Sequence, residues 1–394
     1  MARYIADFCL AVAAIPFIYY LISLYSSWKF FSHANAKRYE LGFAPPVSIL
    51  KPVRGLDPDA YDNFASFCCQ NYPDYEILFC ADEDDEALPV IRQVMKDFPE
   101  RKIRILYGSG RIATNDKVAK LARLVKEAAH EVVVMNDSDV RVEPNYLRTI
   151  VAPLLDKNVG GVTTFYLSTE DKGLLQNLQS IGMLSDFYAG ILVAWKLDGV
   201  KFALGPTIVT TRTRLAGFGG YESIENKPAD DLLVGRLIAE QGCEMVLLPY
   251  AVRTVPDYQS FRDLFLKRLR WLTVMRHMRP QGHLGLIFTQ GLAWSLAALA
   301  ISPTLPVALG YVGGYLFLRF AMTWVIAEHG LKDRSAWVKM PLIPLWDALA
   351  CLIWLVSFTR NTVRWRNADY YIREGMLVPV KEVSTQAVVH RVET

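Results

Sequence analysis

Acidic residues occur at three points of this sequence with the types and spacing that metal binding and proton transfer require. Carboxylate oxygens are the ligands that Mg2+ and Mn2+ prefer in proteins, and a carboxylate beside a hydroxyl group can remove its proton. An isolated acid-x-acid triplet is most often a solvated turn, so the position of each acid decides its meaning. The acids are Asp82, the triplet partners Asp137 and Asp139, and the adjacent Asp230 and Asp231.

These acids need a rigid scaffold, and the surrounding sequence predicts a sheet. Short apolar runs alternate with amphipathic helical patterns, and residues 117–129 place Val118, Leu121 and Val125 on one helical face. Such alternation predicts a Rossmann-like α/β fold, with a mostly parallel sheet covered by helices on both faces. The predicted strands are VSIL (47–50), EILFCA (76–81), IRIL (103–106), VVVM (132–135) and GVTTF (161–165).

The acids stand where ligands of such folds bind, beyond the carboxyl ends of the strands. Asp82 follows the second predicted strand and Asp137 follows the fourth, so both reach the same edge. There, one or two carboxylates can hold a divalent cation while a diphosphate completes its coordination. The position therefore favours a metal-bridged phosphate ligand, most naturally a nucleotide.

Two later segments carry the remaining candidate residues. Asp230 and Asp231 open a helical pattern; an Asp at such a point is often only a cap, and Asp231, one step inside, is the better candidate for a general base. Residues 261–278 form a basic amphipathic segment typical of a helix at an anionic lipid surface. Beside a nucleotide, Arg270 and Trp271 would also supply a cation for a diphosphate and an aromatic face for a sugar or acceptor.

Composition indicates a membrane protein. Of the 394 residues 52% are hydrophobic and the mean hydropathy is +0.17, which is too apolar for ordinary soluble domains. The uncharged residues 8–28 span about 30 Å as a helix, enough to cross a bilayer. They are interpreted as an uncleaved anchor and not as a signal peptide cleaved near residues 34–36, because Lys29 precedes that site.

Two further apolar runs lie near the C-terminus. Residues 284–318 carry no charge, and prolines divide them into a helical hairpin whose second helix extends to about Ala327. That helix contains Arg319, which is expected to line a lipid path or to snorkel. Residues 342–358 are short and contain Asp347, so the sequence makes them a doubtful crossing.

Basic residues set the expected orientation and organisation. Lys29, Lys37 and Arg38 directly follow the first apolar run, so the positive-inside rule places the next domain in the cytosol. Three crossings plus one re-entrant or interfacial segment keep the basic tail on that side. The net charge of +3 gives no reason to expect nucleic acid. The expected organisation is an N-terminal anchor (1–44), a cytosolic catalytic domain (45–280), a C-terminal membrane region (281–360) and a basic tail (361–394).

Together, the ordered motifs resemble the ceramide glucosyltransferase family of inverting GT-A glycosyltransferases, which is related to the hopanoid-associated glycosyltransferases. The resemblance covers most of the chain, and the ordered set is far more specific than any single member. Besides the anchor, it rests on KPVRGLDP (51–58), NDKVAKL (115–121), DSDVRV (137–142), the GGY loop (219–221), ADD (229–231) and KRLRW (267–271).

The resemblance implies transfer of a hexose, with glucose expected, from a UDP-sugar to a lipid hydroxyl, with ceramide expected, and inversion at the anomeric carbon. It implies that Asp137 and Asp139 hold Mg2+ or Mn2+ on the diphosphate and that Asp231 is the base. Asp82 would lie near the uridine, with Asp84 as the alternative in the same acidic stretch.

The family's closing motif, (Gln/Arg)xxArgTrp, is matched by Arg270 and Trp271 but not at its first position. There Lys267 keeps a positive charge and loses the planar fork of arginine, a departure that bears on donor or acceptor preference. Lys117 is expected either to contact the nucleotide or to be a surface lysine that opens a helix.

Three alternatives remain open. A UDP-sugar transferase for a hopanoid or polyprenyl lipid fits nearly as well as one for ceramide. A processive polysaccharide synthase shares the aspartates, but we would expect more crossings and Gln at position 267. A transporter or scaffold has no need of these acidic and basic motifs in order.

Overall fold

The computed structural model describes residues 1–36, 42–169, 173–255, 260–365 and 368–380. The chain divides into two compact units, each built from separate stretches of sequence. We call them the sheet unit (Lys37–Glu170, Val200–Asp257, Arg373–Thr394) and the helical unit (Met1–Ala36, Asp171–Gly199, Tyr258–Ile372). Residues 171–199 thus group with residues 1–36 and 258–372.

The described residues form the following elements. The α-helices are α1 Ala2–Ala13, α2 Ile15–Ala36, α3 Ala60–Cys68, α4 Leu88–Asp97, α5 Asp116–Glu127, α6 Tyr146–Val151, α7 Leu174–Gly182, α8 Tyr188–Asp198, α9 Arg212–Ala216, α10 Asp230–Glu240, α11 Phe261–Met278, α12 Pro280–Gly285, α13 Gly291–Ile301, α14 Leu305–Val307, α15 Gly314–Trp324, α16 Ala336–Lys339 and α17 Ile343–Ser357. The strands are β1 Val47–Pro52, β2 Tyr75–Ala81, β3 Lys102–Tyr107, β4 Val132–Met135, β5 Val140–Arg141, β6 Val159–Ser168, β7 Ile208–Thr211, β8 Glu244–Thr254, β9 Thr362–Trp365, β10 Ala368–Arg373 and β11 Met376–Pro379.

The sheet unit is built on one mixed sheet with the strand order β3-β2-β1-β4-β7-β6-β8-β5. Strands β3, β2, β1 and β4 are parallel neighbours, and β6 is parallel to β8. Strand β7 runs antiparallel between β4 and β6, and β5 runs antiparallel to β8. The predicted α/β class is confirmed, and all five predicted strands are present as β1, β2, β3, β4 and β6.

Both faces of this sheet are buried, as a sheet covered by helices on two sides requires. Ile49 and Ile77 point to one core, and their chain neighbours Leu50 and Leu78 point to another. The second core is closed by α5, whose amphipathic pattern was predicted and whose N-terminus is capped by Asn115. The ends of β1, β2 and β4 therefore stand on a rigid layer.

Three stretches of the helical unit are long and apolar enough to cross a membrane. They are Arg3–His33, Leu305–Gly330 and Ala336–Ser357. A fourth candidate, Pro280–Thr289 with Gly291–Ile301, is bent by 51° and is either a broken span or a re-entrant loop. These assignments follow from helix length and composition.

This result revises which segment is the doubtful crossing. Residues Ala336–Ser357, which contain Asp347, are long and apolar enough to cross a membrane. The bent segment is instead the first helix of the predicted hairpin. Within this candidate span the charge of Asp347 is paired, because Nε of Arg319 lies 2.9 Å from its Oδ2 and Arg319 is 3% exposed. Arg319 is thus neutralised inside the unit and does not snorkel. Lys37 and Arg38, used to predict the orientation, and Arg366 of the basic tail lie outside the described residues.

Candidate active site

Two of the predicted site residues, Lys117 and Asp137, meet Asp230 around one ammonium group in the sheet unit. The Nζ of Lys117 lies 2.7 Å from Oδ1 of Asp137 and 3.3 Å from Oδ2 of Asp230. Lys117 is at the start of α5, Asp137 follows β4, and Asp230 opens α10. Lys117 is therefore no surface lysine, and Asp230 is more than a helix cap.

Asp231 faces the same point. Its Oδ2 accepts a hydrogen bond from the backbone N–H of Gly205 at 3.1 Å, and its Oδ1 accepts one from Leu232 at 2.8 Å. A side chain at Gly205 would begin 3.4 Å from Oδ2 of both Asp137 and Asp231. The absence of a side chain at Gly205 leaves room between these two carboxylates.

Close packing of like charges shifts the proton affinities at this point. Burial, and next the charge of Asp230, raise the pKa of Asp231 to about 6. Burial opposes the charge on Lys117, but Asp137 and Asp230 outweigh it, so the pKa of Lys117 lies well above its ordinary value. Asp231 thus has the proton affinity of a base that works near neutral pH.

The loop that carries Asp137 is fixed from behind by a buried lysine. Lys51, at the end of β1, donates from Nζ to the backbone carbonyl of Asp137 at 3.0 Å and lies 3.7 Å from the ring centre of Phe67. Burial lowers the pKa of Lys51 to about 7, against the opposing charges of Asp139 and Asp137. The carbonyl of Asp139 accepts from the N–H of Val255 at 3.1 Å. Backbone contacts thus fix the loop that carries both carboxylates of the triplet.

Asp137 and Asp139 have the chemistry of a seat for a hard divalent cation. Both side chains are half-buried at the end of β4. Within the described ranges there is no group of three or more His, Cys, Asp or Glu that could hold a metal. Mg2+ is usually bound by one or two carboxylates together with substrate phosphates. The donor set therefore fits a metal held jointly with a diphosphate.

Asp82 belongs to a second polar cluster in the sheet unit. The Nζ of Lys120, which is 1% exposed, lies 3.1 Å from Oδ2 of Asp82, 3.2 Å from Oδ2 of Asp116 and 3.0 Å from the carbonyl of Val53. Asp84, the alternative to Asp82, is exposed. The contacts favour Asp82 over Asp84 as the acid with a defined position.

The remaining predicted residues lie on α11 of the helical unit. Lys267 is exposed, whereas Arg270 and Trp271 are half-buried. The buried cation of this motif is Arg268, whose guanidinium carbon lies 4.7 Å from the ring centre of Trp271. The sequence placed Arg268 in the basic amphipathic segment, whereas the motif gave the site roles to Lys267, Arg270 and Trp271.

Sequence reasoning also missed residues of the sheet unit that the structure places at the site. Lys120 could have been proposed from the sequence, because it lies one helical turn after Lys117 on α5. Gly205 could not, because its contact with Asp231 joins distant parts of the chain. Lys51 entered the sequence prediction only as the first residue of the KPVRGLDP motif.

Comparison with known proteins identifies the family of this chain. Residues 8–378 match the sequence profile of glycosyl transferase family 21. The chain belongs to this family. As a member, it is a glycosyltransferase, and the family resemblance seen in its motifs is confirmed.

Relatives and fold neighbours of this glycosyltransferase point the same way. It is 23% identical over 356 residues to ceramide glucosyltransferase 1 of Caenorhabditis elegans, covering 84% of this chain and 72% of the relative. Ceramide glucosyltransferase 3 of the same organism is 22% identical over 396 residues, with coverages of 94% and 83%. The mannosyltransferase PcManGT from Pyrobaculum calidifontis, solved with GDP-Man and Mn2+, shares the fold with a TM-score of 0.57 and 17% identity, covering 88% of this chain and 99% of that chain.

Proposed function

We propose that this glycosyltransferase moves a hexose from a UDP-sugar to the hydroxyl group of a membrane lipid, with inversion. Glucose is the proposed sugar and ceramide the proposed acceptor, because the full-length relatives above are named ceramide glucosyltransferases. The observation that carries the proposal is the meeting of Lys117, Asp137, Asp230 and Asp231 at the carboxyl edge of the sheet.

Asp231 is the proposed catalytic base. Two backbone N–H groups hold its carboxylate in place, and its raised pKa suits proton transfer near neutral pH. Asp231 takes the proton of the acceptor hydroxyl as that oxygen bonds to the anomeric carbon. The bond from the anomeric carbon to the diphosphate oxygen breaks on the opposite face, and UDP leaves.

Stabilisation of the leaving diphosphate is assigned to Asp137, Asp139 and Lys117. The two carboxylates would hold Mg2+ or Mn2+, and such a cation neutralises the charge that develops on the diphosphate. PcManGT, which shares the fold, was solved with Mn2+ and GDP-Man. Lys117 adds an ammonium beside Asp137 and would bind a diphosphate oxygen once a cation shares that carboxylate.

Asp82 is the proposed contact of the uracil or ribose, with Lys120 holding its carboxylate. Lys267, Arg270 and Trp271 are proposed to bind the diphosphate and the acceptor. The candidate spans support anchorage in a bilayer that supplies the acceptor, and the basic residues after the first span support a cytosolic catalytic domain. The domain limits 1–44, 45–280, 281–360 and 361–394 remain part of this proposal.

The test is transfer by the purified protein in detergent. UDP-glucose, UDP-galactose and UDP-N-acetylglucosamine are each incubated with ceramide, a hopanoid alcohol and a polyprenyl phosphate, with Mg2+ or Mn2+, and the lipids are analysed by mass spectrometry. The proposal expects a glucosylated ceramide. If the folded protein forms no glycolipid from any combination of UDP-sugar and lipid, the proposal is contradicted. If product forms only from a hopanoid or polyprenyl lipid, that lipid and not ceramide is the acceptor.

A further inference from the structure

The turn between α7 and α8 places a carboxylate among buried polar groups of the helical unit. Asp186 lies in the π-helical turn Met183–Phe187 and is half-buried. Arg319 fixes this turn, since its guanidinium donates to the carbonyl of Ser185 and, at 3.3 Å, to the Ser185 hydroxyl. The same guanidinium is paired with Asp347. Arg319 therefore holds the turn in place and is already matched by one carboxylate.

A second arginine of the helical unit has an unused donor. The guanidinium of Arg268 stacks between two indoles, 4.7 Å from the ring centre of Trp271 and 4.9 Å from that of Trp346. Its Nε donates to Oε1 of Gln179 at 3.0 Å. Its Nη2 is buried and has no hydrogen-bond partner among the residues that the structure describes. Because a buried donor without a partner is costly, an oxygen atom of a ligand would be favoured there.

Trp346 has a second unused donor beside Asp186. The side chain is 2% exposed, and its N–H lies next to the carboxyl group of Asp186 without a hydrogen bond of normal geometry to any described residue. Gly182 lets the indole pack against its backbone, since a side chain there would begin 2.3 Å from the ring. Phe187 packs on Trp271 with ring centres 5.8 Å apart. The donors are thus fixed by packing.

Charge and polarity define the ligand that this cluster suits. With both carboxyl groups ionised, the two negative charges of Asp186 and Asp347 balance the two positive charges of Arg268 and Arg319. A phosphate head group would bring a charge that the balance leaves unmatched. A neutral head group with a hydroxyl or amide N–H and a nearby oxygen would satisfy the carboxylate and both donors.

We propose that Asp186, Arg268 and Trp346 bind the polar head group of a neutral lipid acceptor with adjoining hydroxyl and amide groups. Asp186 accepts from the hydroxyl or amide N–H, and Nη2 of Arg268 and Nε1 of Trp346 donate to the amide oxygen. This inference rests on the proposed function, because it supplies the lipid-binding part of that reaction. Asp186 is then a residue that determines acceptor specificity.

Kinetics of the full-length Asp186→Asn variant in detergent tests the inference. Without the Asp186 carboxylate, which accepts the hydrogen bond from the lipid, the KM for a short-chain ceramide is expected to rise roughly tenfold to a hundredfold. The KM for UDP-glucose should stay within about twofold, because the substitution does not change the donor site. Asp263→Asn is the matched control, since Asp263 is an exposed acid of the same unit, in the first turn of α11, whose carboxylate accepts a hydrogen bond from the capping Ser260. Asp186→Glu should recover part of the ceramide affinity.

A photo-crosslinking ceramide gives a second measurement that does not need turnover. In the wild type it should label the segments around Asp186 and Arg268, and Asp186→Asn should lose that labelling while it unfolds at the same temperature and binds UDP as before. An unchanged ceramide KM in folded Asp186→Asn, or equal losses for donor and acceptor, would overturn the inference. If the wild type makes no glycolipid, the proposed function is contradicted, and the labelling alone then decides the inference. Labelling around Asp186 in the wild type that Asp186→Asn loses would support the inference, and no such labelling in the wild type would overturn it.

Discussion

Two buried polar clusters of this glycosyltransferase, one in each unit, use the same chemical groups in different proportions. In the sheet unit, Lys117 is surrounded by three carboxylates, and its side chain is 29% exposed. In the helical unit, Arg319 faces Asp347 one to one, with exposures of 4% and 11%. The first cluster keeps negative charge in excess and open to a ligand, whereas the second is matched and closed. A cluster with unbalanced charge can bind a cation or shift the pKa of a base, whereas a balanced ion pair acts on the stability of the fold.

The cluster with excess charge should give the largest effect on activity. Asp231→Asn removes the base with little change of shape, so we expect kcat to fall about 10²–10⁴-fold, while the affinity for UDP is unchanged. Glucosyl transfer to ceramide and UDP titration calorimetry measure the two quantities. Glu244→Gln, at an exposed acid of β8, serves as the control with wild-type rates. Near-wild-type turnover of Asp231→Asn would remove Asp231 as the base.

The matched cluster should instead respond in stability. Arg319→Met leaves Asp347 buried without its cation, which costs about 3–5 kcal/mol for a pair of this kind, so the detergent-solubilised protein should unfold at a clearly lower temperature. The double variant Arg319→Met, Asp347→Leu removes both charges and should recover most of the loss. If the double variant is no more stable than the single one, the pair is not the structural element described here.

The pH dependence of transfer should report the crowding of carboxylates around Asp231. The base must be deprotonated to accept a proton, and burial together with Asp230 raises its pKa to about 6. Below that pH the protonated fraction rises, so kcat/KM for ceramide should fall about tenfold per pH unit and level off above about pH 7. Asp230→Asn removes the like charge and should shift this acidic fall in kcat/KM, the acidic limb of the profile, to lower pH. A limb near pH 4 in the wild type would contradict the raised pKa.

A smaller effect is expected where a lysine only positions an acid. Lys120→Met leaves Asp82 without its buried cation and should weaken UDP binding roughly threefold to tenfold, the range for a positioning contact. Lys126→Met is the matched control, because Lys126 is 64% exposed and pairs with Glu222 at 3.2 Å. Calorimetry with UDP compares them. Equal affinities of the two variants, both folded, would mean that Asp82 does not contact the nucleotide.

Local patterns in the sequence were sufficient for the parts of the fold set by local order. The strands β1 to β4 and β6 were predicted because apolar runs at regular spacing predict a buried parallel layer. Strand β7 is only four residues long, and β8 contains Pro249, which argues against a strand. Both were missed, because neither shows a clear local strand pattern.

The candidate site shows the same division. Asp137 and Asp231 could be proposed from motifs, because each stands at the end of a predicted element. Other features depend on residues far apart in the sequence. Both carboxylates approach Gly205, Lys120 is buried against Asp82, and Arg319 pairs with Asp347. No single-sequence pattern encodes such contacts. For this reason Asp347 was taken as a sign against a crossing, although its charge is matched in the folded unit.

The central claim is that the excess-charge cluster around Asp231 drives a single displacement onto a lipid hydroxyl. The most direct test is NMR of the glycolipid that the purified protein makes from UDP-glucose labelled with 13C at the anomeric carbon, with ceramide and Mg2+ or Mn2+. UDP-glucose is an α-glycoside, so single displacement predicts a β-glucoside with the large anomeric proton coupling of that configuration. An α-glucoside, or labelled glucose found only in water, would contradict the account.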